Sequence, residues 1–190
     1  MGVSVLLLEF LSAGGLRGDP AEAELMPLGR SMRDAMMHEL LALPATLVRS
    51  VGVATCDAAP LPAALALDRR VRSLQAAPGE DLLTFIAAQA RGHETAWIVA
   101  PETGGLLQAC EAAVRQAAGP HAWLGSAAEA MAVASSKTRT LSALSLEGVP
   151  TPLDSHWALE ARRWVVKPDD GAGAVATQVC PDRAAAKALA

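Results

Sequence analysis

The order of apolar and polar positions predicts strands alternating with helices over the first two thirds of the chain. Val3 to Phe10, almost continuously apolar and closed by the turn-forming "SAGG", predicts a buried strand in mid-sheet. From Ala21 to Leu43 the positions Leu25, Leu28, Met32, Met36, Leu40 and Leu43 recur at steps of three and four, one face of a helix that Pro44 ends. Met26, Met32, Met36 and Met37 in that helix read as core filling. "ATLVRSVGVAT", Ala45 to Thr55, is β-branched and predicts a second strand, and "DAAPLPAALAL" a loop leading into a short helical turn. "PGEDLLTFIAAQA" opens with acidic residues and spaces Leu82, Phe85, Ile86 and Gln89 as a helix does. "AWIVAPETGG" reads as strand and turn, and "LLQACEAAVRQAAG" as a helix closed by Gly119. "HAWLGS" reads as a short strand whose Ser126 is placed to cap a helix over Ala127 to Ala134.

Strands alternating with helices imply crossover connections, and hence an α/β fold with a parallel, Rossmann-like sheet covered on both faces. From Ser136 the rhythm changes. A polar helix "KTRTLSALSLEG" is followed by the turn "VPTP", a strand "RRWVVKP", a glycine turn, a strand "AVATQVC" and a capped helix "DRAAAKALA". This predicts a domain over residues 1–125 and a second, hairpin-based subdomain over 126–190, with the boundary near Gly125 to Val133.

Composition narrows the function. The 190 residues are 52% hydrophobic and 19% charged, enough to bury roughly 70% of the unfolded surface in a real core. The most apolar stretch, Val3 to Leu11, is interrupted by Glu9 and is far shorter than the ~20 residues that span a bilayer. The start carries no basic residues of a signal peptide, so no membrane association and a cytoplasmic location are expected. A net charge of -4 argues against nucleic acid as a partner, and the knot Arg69, Arg70 and Arg72 reads as solvated surface. Cys56, Cys110 and Cys180 have neither disulfide-framework nor zinc spacing and are expected as buried thiols. His38, His93, His121 and His156 show no metal-ligand spacing, so no metal ligand is assigned.

Three segments can carry chemistry. In "VVKPDDGAGAV", Lys167 at a strand end sits beside a turn whose Gly171 and Gly173 let backbone amides approach an anion; the alternative is a plain hairpin turn with an exposed lysine. The spacing is neither that of a Walker A loop nor G-x-G-x-x-G. Lys137 lies in the first turn of its helix, where a cation is unfavourable to the helix dipole, although a lone helical lysine is ordinarily surface. Two strand ends, "LEFLSAGG" with Glu9, Gly14 and Gly15 and "APETGG" with Glu102 and Thr103, place a carboxylate beside a Gly-Gly turn. Ligands bind at such ends of parallel sheets, and tight strand-to-helix turns sit there too.

The order lysine helix, "EGVPTP", "VVKP", glycine turn resembles the ATP-grasp superfamily. "LEFLSAGGL", "APETGGLL" and "GSAAEAMAVASSKTRTLSAL" resemble the branch that includes tyramine-glutamate ligase of methanofuran biosynthesis. The resemblance spans nearly the whole chain. It implies a Rossmann-like pre-ATP-grasp domain followed by part of an ATP-grasp domain. It also implies Lys137 and Lys167 on ATP phosphates, and Asp170, Gly171, Ala172, Gly173 and Ala174 as the flap over them. The implied reaction activates a small-molecule carboxylate, glutamate in the narrower reading, as an acyl phosphate that an amine captures, with Mg2+ offsetting phosphoryl charge.

Two departures qualify the resemblance. The stretch between Pro152 and Arg162 is short, where relatives often insert a helix. The family's adenine hinge and Mg2+ ligands are expected beyond residue 190. The chain is therefore expected to be a truncated ligase, inactive alone. The alternative is a non-catalytic small-molecule-binding or regulatory module related to the pre-ATP-grasp domain. An unfinished subdomain leaves apolar hairpin surface open, which leads to an expected homodimer.

Overall fold

The computed structural model describes residues 2–152, 161–171 and 174–189. The chain divides into two compact units, Met1–Ala100 with Ala109–Gly125, and Pro101–Gln108 with Ser126–Ala190. Ala172, Gly173 and the short segment after Pro152 that includes His156 lie outside the described residues.

In the first unit β1 (Val3–Glu9), β2 (Val48–Ala54), β3 (Val71–Leu74) and β4 (Thr95–Val99) form a parallel sheet in the order β3-β2-β1-β4. Val5 pairs with Val51 on one side and Thr95 on the other, so β1 is an interior strand and all of it but Val3 is buried. That explains its unbroken apolar run, since a strand covered on both faces has no polar side to show. The expected strand "HAWLGS" shrinks to a single parallel bridge between Ala96 and Trp123 at the β4 edge. The order places the topological switch point between β1 and β4.

Helix α1 (Glu22–Ala42) is predicted well in extent and in part of its face, since Met36 and Leu40 of the expected stripe are buried and Met26, Met36 and Met37 fill core as expected. Leu25, Leu28 and Leu43 are exposed, and the buried positions are Met26, Gly29, Arg33, Met36, Met37 and Leu40. Met36, Met37 and Leu40 pack with Val5, Leu7, Val51 and Val53 to form the main core. Two non-apolar positions turn the helix away from the leucine stripe. Arg33 is fully buried, donating to the carbonyls of Ala59 at 2.6 Å and Pro60 at 3.2 Å and pairing with Asp34 at 2.8 Å. A buried guanidinium is tolerated only when its donors are filled, and here it staples α1 to the loop after β2. Gly29 lets the helix approach the end of β1, where an added Cβ would lie 2.5 Å from both Glu9 Oε2 and Leu11 Cβ.

The remaining elements of this unit are α2 (Ala63–Ala66), α3 (Leu82–Ala90) and α4 (Leu106–Ala118), whose first residues belong to the second unit. Asp81 caps α3, accepting from the Thr84 amide at 3.0 Å. Of the arginine knot, Arg69 and Arg72 are exposed, as surface residues, with Arg72 in β3, a strand the sequence pattern did not predict, while Arg70 is half-buried. Arg70 donates to the carbonyls of Leu41 and Leu43 and pairs with Asp68 at 3.1 Å. Its role is to fasten α1 to the sheet. All three cysteines are free and buried, and burial pushes the Cys110 thiol up to about 11.

The second unit contains a 3-10 turn (Thr103–Gly105), α5 (Ala128–Ala134), α6 (Lys137–Leu146), β5 (Trp164–Val166), β6 (Gln178–Cys180) and α7 (Arg183–Leu189). β5 and β6 pair antiparallel, Trp164 opposite Cys180 and Val165 opposite Val179. Both strands are shorter than expected; before β6, Ala174 and Ala176 take left-handed φ of 57° and 53°, which no strand tolerates. Helix α5 starts one residue late, with Ala127 in place of Ser126 at its N-cap. Among the described residues no helix is long and apolar enough to cross a membrane.

Alanine in place of Gly29 gains about 1 kcal/mol of helix propensity. It also meets an overpacked site worth roughly 1–3 kcal/mol and displaces the Glu9 carboxylate. Urea unfolding should find Gly29→Ala less stable than the parent; a gain in stability would contradict the close approach of α1 to β1.

Candidate functional site

In the second unit the segment after β5 is fixed by its own side chains. Lys137, the first residue of α6, points its ammonium at three successive carbonyls of the turn: Asp169 at 3.3 Å, Asp170 at 2.9 Å and Gly171 at 3.1 Å. Three donors meet three acceptors, so the ammonium replaces the hydrogen bonds that a hairpin would otherwise supply to those carbonyls. The left-handed φ of 79° at Gly171 lets the chain bend there.

The two aspartates of "KPDDG" hold the turn from different sides. Asp169 serves the N-terminus of α6: its carbonyl accepts from the Lys137 amide at 2.9 Å and its Oδ1 from the Thr138 amide at 2.8 Å. With Ser136 Oγ accepting from the Arg139 amide at 3.1 Å and the Ser136 carbonyl from the Thr140 amide, the first four amides of α6 are satisfied. The helix dipole therefore meets a built-in carboxylate instead of an external anion. The hydroxyls of Thr138 and Ser136 and the Thr138 amide, helped by the Lys137 charge, hold the Asp169 carboxyl down to about 2.

Asp170 reaches the other way. Its Oδ2 accepts from the Gly104 amide at 2.9 Å, tying the glycine turn to the 3-10 turn of "APETGG". An added Cβ at Gly171 would come within 3.2 Å of Thr103 Oγ1, so the two segments are in close approach. Thr103, Lys137, Lys167, Asp170, Gly171 and Thr177 line one cavity of ≈ 510 Å³. Lys167 is exposed, and its ammonium has no hydrogen-bond or ion-pair partner among the described residues. A larger cleft of ≈ 1140 Å³ shares both lysines and adds Leu141, Pro150, Trp164 and Val165 as apolar walls.

The sequence-predicted residues thus fall into two sets. Lys137, Lys167, Asp170, Gly171 and Thr103 come together, with Ala174 on the same cavity. The Glu102 carboxylate is half-buried and has no partner among the described residues. Glu9, Gly14 and Gly15 belong to the first unit. The Glu9 carboxylate is buried and accepts from the amides of Leu11 at 3.1 Å and Ser12 at 2.8 Å, so in this structure it serves the strand-to-helix turn. Gly15 lies against the Phe10 ring, and Gly14 takes φ of 87°. Asp169, Ser136 and Thr138 were missed; a Ser-x-x helix start was legible, but nothing local to the sequence links it to an aspartate 31 residues on.

The lysine-lined cavity suits an anion, because Lys167 offers an exposed cation beside backbone that glycine keeps open. A metal does not fit equally well: among the described residues no group of three or more His, Cys, Asp or Glu is placed to hold one.

Residues 52–131 match the family model described as the pre ATP-grasp 3 domain. No curated protein and no solved structure matches the chain. The match runs from within β2 into α5 and stops short of Lys137 and the glycine turn. It supports the ATP-grasp superfamily, and the parallel sheet with a separate antiparallel hairpin is consistent with a Rossmann-like pre-ATP-grasp domain.

The depressed Asp169 carboxyl gives a pH test of the turn. Its folded value lies below the usual 3.8, so the bond to the Thr138 amide is present above that pH and lost as pH falls through about 2. The Thr138 amide resonance should titrate with a midpoint near 2; a midpoint at the ordinary aspartate value would remove the clamp.

Proposed function

We propose that the chain belongs to an ATP-dependent ligase that joins a carboxylate to an amine through an acyl phosphate, and that its second unit handles the nucleotide phosphates. The observation that carries this reading is the convergence of Lys167, Lys137, Gly171 and Thr103 on one cavity of ≈ 510 Å³. The pre-ATP-grasp match over residues 52–131 supports it.

In this reading the carboxylate oxygen attacks the terminal phosphorus of ATP, the bond to the bridging oxygen breaks, and ADP leaves. The amine then attacks the acyl carbon and inorganic phosphate departs. Lys167 supplies fixed positive charge where the phosphoryl oxygens would lie, a contribution that grows as water is excluded. Lys137 keeps the turn folded through its three carbonyls; meeting a phosphate would require it to exchange those bonds. The apolar cleft with Leu141, Pro150 and Trp164 adjoins both lysines and would border the nucleotide, while the hinge that seats the base is expected outside these residues. Magnesium assists phosphoryl transfer in such chemistry, but with no ligand group placed for it among the described residues, no step here depends on it. Glutamate as the carboxylate, and an amine of methanofuran-type cofactor synthesis, rest on the likeness of "LEFLSAGGL" and "APETGGLL" to that branch.

Removing one charge-assisted contact costs about 1.5–3 kcal/mol, or roughly 10- to 150-fold in affinity. Calorimetry should show ATP binding by the parent chain, at least tenfold weaker binding by Lys167→Ala, and no change for the exposed Lys187→Ala. Equal affinity in the Lys167 variant would overturn the assignment of the phosphate site.

A further inference from the structure

The turn of "APETGG" is a wall of the same cavity as Lys167, and its hydroxyl faces the same space. Thr103 is exposed and its side chain has no hydrogen-bond partner among the described residues. Its place is nonetheless held firmly. The following amide, Gly104, donates to Asp170 Oδ2 at 2.9 Å, and Gly104 and Gly105 both take left-handed φ, 64° and 72°. The backbone at Gly171 approaches so closely that a Cβ would sit 3.2 Å from Thr103 Oγ1, at a φ of 79° that already disfavours any side chain. A free hydroxyl, a free ammonium and glycine backbone thus border one space.

We propose that Thr103 binds phosphate, its hydroxyl donating to an oxygen of the same polyphosphate that Lys167 neutralises. In the sequence this turn reads equally as a substrate-binding strand end and as a tight strand-to-helix turn. The chemistry selects a compact anion. Lys137 and Lys167 are the cations on the cavity, and Asp170 is the acidic side chain among its described lining residues. The Asp170 carboxylate is engaged by the Gly104 amide, so it positions the Thr103 turn while the lysines set the sign of the field. A hydroxyl adds a directed donor that a lysine cannot, since an ammonium on a flexible stem fixes charge but not orientation. The inference rests on the phosphate reading of the Lys167 site and adds to it a second, geometrically independent contact.

The test measures binding of ATP, inorganic tripolyphosphate and adenosine to the parent chain and to Thr103→Val, Thr103→Ser and Lys167→Ala. Loss of one hydrogen bond to a charged phosphate oxygen should weaken ATP and tripolyphosphate roughly tenfold or more in Thr103→Val. Thr103→Ser should restore them, and adenosine should be unaffected. An unchanged thermal midpoint in Thr103→Val excludes misfolding as the cause, and if that variant is unstable the serine variant and its parent-like binding carry the comparison. If Thr103→Val binds tripolyphosphate like the parent while Lys167→Ala is weakened, Thr103 is no phosphate ligand and the Lys167 reading stands. If neither variant is weakened, both fail.

Discussion

The second unit depends on one ammonium meeting three carbonyls. Lys137 Nζ gathers the carbonyl oxygens of Asp169, Asp170 and Gly171 within 2.9 to 3.3 Å. From that point the two aspartates diverge, Asp169 to the amides of α6 and Asp170 to the amide of Gly104. One short segment is thereby bonded to a helix start and to a 3-10 turn. The cavity bordered by Lys167 and Thr103 exists because those bonds keep both turns in place. Lysine at a helix N-terminus opposes the helix dipole, and the nearby Asp169 carboxylate offsets that charge.

Two segments that look alike in sequence are used differently. Glu9 and Glu102 each stand at the end of a parallel strand before paired glycines. Glu9 is buried, its oxygens filled by the amides of Leu11 and Ser12, and Gly29 of α1 presses against it. An unpaired carboxylate there would carry a large desolvation cost, so the turn amides are what allow its burial. The turn after Glu102 instead groups with the second unit and gives its Gly104 amide to Asp170. Local sequence does not separate these outcomes, because Gly104's partner Asp170 lies 66 residues on and Gly29, which presses against Glu9, lies 20 residues on.

Much of the fold was legible because it follows from periodicity. The apolar run of β1, the Asp81 start of α3 and the Gly119 stop of α4 each have a local physical cause. Met26, Met36, Met37 and Leu40 of the buried face of α1 were legible, but Arg33 and Gly29 were not, because both count against burial on any apolar scale until their partners at Ala59, Pro60 and Glu9 are known. β3 was hidden by its arginines: Arg72 lies within it, and Arg70 just before it bonds the carbonyls of Leu41 and Leu43 at the end of α1. In the candidate site Lys137, Lys167 and the glycine turn were visible as motifs. Asp169 was visible only as turn-forming composition, since its contacts with α6 are tertiary.

If the two glycine turns of the second unit form one phosphate-binding cavity, as proposed, a phosphate ligand must protect both at once. Amide hydrogen exchange with and without tripolyphosphate tests it most directly, since it reads both turns at once. The account predicts slower exchange at Gly104, Asp170 and Gly171 together on binding, with the Leu11 and Ser12 amides of the first unit unchanged. Protection confined to the first unit, or to only one of the two turns, would contradict it.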